Sequence, residues 1–168
     1  MDSAHRRPVT DPARVVAQLD ATWFGSGLSA SLKAGLADMS REYDAPAGTR
    51  LLREGEEVPE LSVLVSGRVA LNQHVAGRGT VMLMTVEPGD VFGQSALVAP
   101  YRATSTVVTL EPVHVIAIDA ARLRERVRSE CELTAGIYPK IAEALARRLD
   151  ATRSQLLDLY GSEKGEQW

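Results

Sequence analysis

From residue 46 to residue 118 the chain is cut into short β-branched runs, each closed by glycine or proline before a helix could form. The runs cover residues 49–52, 61–65, 68–71, 80–86, 104–110 and 113–118. Between them lie Glu54-Gly55-Glu56, Ser66-Gly67, Ala76-Gly77-Arg78-Gly79, Glu87-Pro88-Gly89-Asp90 and Glu111-Pro112. Glycine accepts left-handed turn angles, and proline cannot donate to a central ladder. Short strands with turns at regular intervals close as an antiparallel roll, barrel or sandwich. No repeat of fixed period and no low-complexity tract is present.

Helical patterns flank this zone. Asp11-Pro12 is a helix start, with aspartate as N-cap and proline in the first turn, and Val15, Val16 and Leu19 follow at helical spacing. A second helix is predicted from Ser29, with Leu32, Leu36 and Met39 on one face. Trp23 and Phe24 are placed over the roll. Residues 1–10 are polar and read as a flexible N-terminus, 11–160 as one domain (11–45 helical, 46–118 β, 119–160 helical), and 161–168 as a tail. Asp119 caps a predicted helix over 120–128, whose Arg122, Arg124, Arg126 and Arg128 spread around it as a solvated surface. A longer helix is predicted from 131 to 160, stopped by Gly161 and broken or bent near Tyr138-Pro139. Within it Ala142, Leu145, Leu149, Thr152, Leu156 and Leu159 repeat at alternating spacings of three and four. That is the narrow seam of a coiled coil, and it predicts a homodimer through this helix. Arg147, Arg148 and Arg153 lie off the seam.

Of the 168 residues, 45% are apolar and 24% charged, which excludes general disorder. No apolar run approaches the ~20 residues of a membrane span, and Met1 to Pro8 lacks the apolar stretch of a signal peptide. One cysteine, Cys131, cannot form an intrachain disulfide, so a cytoplasmic location is expected. The net charge of −3 lacks a basic nucleic-acid footprint. An enzyme is not expected: no Ser/His/Asp arrangement is visible. His5, His74 and His114 form no His-x-His pair, so no metal is expected and a cupin-like metalloenzyme stays a remote alternative. Met82 and Met84, on one face of a strand, are assigned to the core or the inner wall of the roll.

Residues 88–107 carry the most chemistry. Gly93 permits unusual backbone angles, and Gln94-Ser95-Ala96-Leu97 reads as one helical turn. Free amides at such a start suit an anion, phosphate above all, and Arg102 could close over it. Val91, Phe92, Ala96 and Leu97 would anchor the loop. A plain corner of the roll with a solvated arginine is the other reading of the same residues.

This stretch is similar to the cyclic-nucleotide-binding domain of the catabolite activator family, of cyclic-nucleotide-regulated kinases and of gated channels. Residues 47–56, from Ala47-Gly48 to Glu54-Gly55-Glu56, look like that family's first hairpin. Leu61 to Val69 look like its strand, Ser-Gly turn and strand, and Pro88-Gly89-Asp90-Val91-Phe92-Gly93 like the entry to its phosphate-binding cassette. The resemblance covers about residues 24–160. It implies an α+β fold, an antiparallel jelly-roll-like β-roll of about eight strands with N-terminal helices and a long C-terminal helix. It implies a ligand, cAMP or cGMP, held by Phe92, Gly93, Gln94, Ser95, Ala96, Arg102, Ala103 and Thr104, and no other cofactor.

Two positions depart from the family pattern. The family glutamate that accepts the ribose 2′-hydroxyl is Gln94 here, which still accepts but without charge assistance. Glutamate restored at 94 is therefore expected to strengthen binding. Aligned from the cassette, the family arginine falls on Arg102; aligned from the following strand, it falls on Ala103. A one-residue slip would turn the guanidinium to the other face unless a bulge repaired it. A dimeric interaction protein of this fold that has lost ordinary cyclic-nucleotide binding is the alternative. The family's helix-turn-helix would need on the order of 60 residues, and nine follow Leu159, so no DNA-binding module is expected. Output through a partner protein or the dimer is expected instead.

Overall fold

The computed structural model describes the backbone of residues 11–162 and the side chains of residues 11–154. Two helices open the fold, α1 (Pro12–Asp20) and α2 (Ala30–Asp38). Asp11 accepts from the Ala13 amide at 3.0 Å, and Ser29 accepts from that of Leu32 at 3.2 Å. The apolar face of α1 buries Val15 and Leu19, and that of α2 buries Leu32 and Leu36.

Eight strands follow among the described residues: β1 (Ser40–Ala45), β2 (Arg50–Leu52), β3 (Glu60–Ser66), β4 (Val69–Val75), β5 (Gly79–Val86), β6 (Val91–Phe92), β7 (Thr106–Thr109) and β8 (Val113–Asp119). They form two four-stranded antiparallel sheets, ordered β1-β8-β3-β6 and β2-β7-β4-β5. Alternation places Leu64, Val69, Leu71, Phe92, Val107, Val113 and Val115 between the sheets. A second apolar cluster joins Leu61, Val63, Ile116 and Ile118 to the helices. The chain closes with α3 (Ala120–Ser129) and α4 (Cys131–Ser162). Asp119 accepts from the Arg122 amide at 2.8 Å, as its N-cap role requires.

The structure corrects several sequence expectations. The 11–45 zone is not all helical, because Ser40–Ala45 is a strand paired along its length with β8. Its sequence, Ser-Arg-Glu-Tyr-Asp-Ala, hides this because Glu42 is fully buried beside Tyr43. His114 explains that burial: its Nε2 lies 2.8 Å from Glu42 Oε1 and its Nδ1 lies 2.7 Å from Asp44 Oδ1. Met82 is not in the inner wall but 56% exposed, while Met84 packs on the inter-sheet core. A register irregularity between Leu71 and Asn72 of β4 breaks the alternation between the two methionines. Pro139 does not break the last helix, which runs through it and through Gly161 to Ser162. Pro139 is exposed, so its ring meets solvent while Leu133, Ile137, Ile141 and Ala144 hold the helix to the body. The arginines of α3 form a solvated surface only in part: Arg122 and Arg128 are exposed, but Arg122 also binds Asp38, and the half-buried Arg124 and Arg126 bind the Ala96 and Gly35 carbonyls.

Candidate functional site

The turn after β6 is set by one residue. Gly93 has φ 77°, and a Cβ there would stand 2.8 Å from the Glu60 carbonyl oxygen. Only glycine fits both constraints. Gln94–Ala96 then makes one 3-10 turn, closed by Ala96 N–H to Gly93 O at 2.9 Å and Leu97 N–H to Gln94 O at 3.0 Å. The first amides of such a turn have no partner within the turn itself. Val91, Phe92, Ala96 and Leu97 are buried and seat it on the roll. Arg124 of α3 caps it from behind, donating to Ala96 O at 2.8 Å, with its guanidinium 4.5 Å from the Tyr101 ring centroid.

The opposite wall answers the register question. Residues 101–103 pair with 55–58: Ala103 N–H donates to Glu56 O at 2.8 Å, Gly55 N–H to Ala103 O at 2.8 Å, and Val58 N–H to Tyr101 O at 2.9 Å. In this pairing Ala103 points inward, 7% exposed, among the core residues. Arg102 is exposed and donates from Nη1 to the Gly55 carbonyl at 2.8 Å. Thr104 is exposed and Ser95 half-buried. Phe92, Gly93, Gln94, Ser95 and Ala96 are thus brought together on the cassette turn, while Arg102 stands outside the inward-facing wall.

α4 reaches the same turn. Gln94 is 3% exposed; its Nε2 donates to Val91 O at 3.2 Å and its Oε1 accepts from Arg148 at 2.5 Å. Arg148 also donates to Val91 O at 2.5 Å. Arg147 pairs with Asp90 at 3.2 Å, and its guanidinium lies 3.7 Å from the Trp23 ring centroid. Lys140 adds a bond to the Trp23 carbonyl at 3.1 Å. Burial holds the Arg148 guanidinium below the ordinary arginine range, at about 10. These α4 contacts escape a reading by local spacing, because 54 residues separate Arg148 from Gln94. Their trace in the sequence is a pair of arginines lying off an apolar seam.

The seam turns away from the body. Ala142 and Thr152 are exposed, and Leu145 and Leu149 are 44% and 52% exposed. The side chains of Leu156 and Leu159 lie outside the described residues. Among the described residues no group of three or more His, Cys, Asp or Glu is arranged to hold a metal, and no helix is long and apolar enough to cross a membrane.

Two four-stranded sheets, a glycine-opened turn after β6 and a long closing helix define an α+β roll. Residues 43–130 match the family model of the cyclic nucleotide-binding domain, and the chain belongs to that family. It is 28% identical over 133 residues to a CRP-like cAMP-activated global transcriptional regulator of Mycobacterium tuberculosis, covering 79% of this chain and 58% of that one. It is 34% identical over 97 residues to the acetyltransferase Pat of Mycolicibacterium smegmatis, covering 58% of this chain and 29% of that one. The chain thus spans little more than half of the first relative and under a third of the second. A crystal structure named for cyclic nucleotide binding, from Geobacter metallireducens, superposes with TM-score 0.71 at 30% identity, covering 84% of this chain and 99% of that one.

Proposed function

We propose that this domain is a regulatory module that takes a cyclic nucleotide, or a related small phosphate ligand, in the cassette at residues 89–107 and passes its presence to α4. The supporting observation is the junction at Gln94. The side chain at the start of the glycine-opened turn is hydrogen-bonded to Arg148 of the helix that would carry the signal. One relative supports this reading by its name, a cAMP-activated global transcriptional regulator. The module itself performs no catalysis in this reading. Its output is a protein partner or its own dimer, formed along Ala142, Leu145, Leu149, Thr152, Leu156 and Leu159.

A second reading has its own observation. Arg102 is spent on the Gly55 carbonyl and the inward position is Ala103, so the cassette has no arginine facing it from that wall. A member of the family that has lost ordinary cyclic-nucleotide binding would look like this. Calorimetry with cAMP and with cGMP decides between the two. Heat and a raised Tm with either nucleotide support the first reading, and neither effect at millimolar ligand, in the wild type or in Arg148→Met, supports the second. If binding is seen, Arg102→Ala is expected to abolish it, since that guanidinium must then swing inward over the phosphate.

A further inference from the structure

Gln94 is 3% exposed and engaged at both ends of its amide. Its amide nitrogen is committed to Val91 O, and its carbonyl oxygen faces Arg148 at 2.5 Å. The same guanidinium uses its other terminal nitrogen on Val91 O, also at 2.5 Å. This is fork geometry on two acceptors, which a lysine cannot reproduce. Both acceptors are neutral. The nearby carboxylate of Asp90 is held by the neighbouring Arg147 at 3.2 Å. Two successive arginines therefore fasten α4 to the entry of the cassette and to its first turn.

We propose that Arg148 is a competitive latch: α4 and the cassette ligand contend for the carbonyl oxygen of Gln94, so a ligand enters only as α4 lets go. The proposal rests on the cyclic-nucleotide reading above and adds its regulation. It also gives glutamine at 94 a purpose. A carboxylate there would replace a hydrogen bond in which only the Arg148 guanidinium is charged with a full ion pair, a stronger hold. Glutamine keeps the latch weak enough to open. The expected effect of Gln94→Glu thus has the opposite sign from the one that local chemistry suggests, and it reverts when Arg148 is removed.

The test titrates cAMP and cGMP into the full chain by calorimetry, for wild type, Arg148→Met, Arg148→Lys, Gln94→Glu and the Gln94→Glu/Arg148→Met double variant. A thermal melt of each confirms folding. Arg148→Met keeps the apolar stem, and Arg148→Lys keeps the charge without the fork. Both are expected to bind at least about tenfold tighter than wild type, the worth of one hydrogen bond to a charged group. Gln94→Glu alone is expected to bind more weakly than wild type, and the double variant most tightly of all. A silent wild type beside a binding Arg148→Met supports the latch as well. Arg148 variants that bind no tighter than a binding wild type, or Gln94→Glu binding as tightly as the double variant, overturn the latch and leave the cyclic-nucleotide reading intact. Absence of heat from all five proteins overturns that reading and the latch with it.

Discussion

At the scale of the residue, the cassette turns on Gly93 and Arg148. Gly93 combines a left-handed backbone with a 2.8 Å approach to the Glu60 carbonyl. Gly93→Ala is therefore expected to lower stability by about 1–3 kcal/mol and to spoil the turn, seen as a lower urea midpoint with an unchanged m-value. Arg148 is a guanidinium that burial has moved down to about 10. Its folded value lies below its unfolded one, so its desolvation cost is fully present at neutral pH. That cost is relieved only as the pH climbs past about 10. Arg148 thus keeps its charge throughout the physiological range, and its contact to Gln94 is not switched by pH there.

At the scale of the element, α4 has two faces with separate tasks. Leu133, Ile137, Ile141 and Ala144 bury against the body, each at most 2% exposed. Leu145 and Leu149 lie on the other face, 44% and 52% exposed. The helix carries Pro139 inside this arrangement, which denies Ala135 its helical hydrogen-bond donor. A proline in a helix interior costs about 3 kcal/mol relative to alanine. Since Pro139 is exposed, Pro139→Ala should stabilise the domain by about 1–3 kcal/mol, read as a higher Tm with the same far-UV spectrum. An unchanged or lower Tm would mean that the surrounding turns have already absorbed the defect.

At the scale of the whole molecule, the exposed seam and the arginine contacts to the turn after β6 lie on one helix, so the proposed dimer and the proposed latch meet in α4. The α4 seam is proposed to pair with a second copy. Leu149→Asp is expected to leave the monomer's stability within about 0.5 kcal/mol, because the site is exposed, while sedimentation shows the dimer dissociating. A wild-type monomer at tens of micromolar would remove the dimer from the account. Loss of the dimer in Leu149→Asp with unchanged nucleotide affinity would separate assembly from sensing.

The roll, the helix caps at Asp11, Ser29 and Asp119, the cassette turn at Gly93 and the apolar seam were all legible from the chain, because each is written in neighbouring residues with a local physical rule. Strand β1 was not, since its buried Glu42 is made tolerable by His114 on β8, 72 positions away. The outward turn of Arg102 was left open by the sequence, as it depends on which residue of 101–103 the 55–58 segment pairs with. The grip of Arg148 on Gln94 was invisible for the same reason. Local spacing sets which faces a chain offers, but which of those faces meet is decided only when distant segments pack.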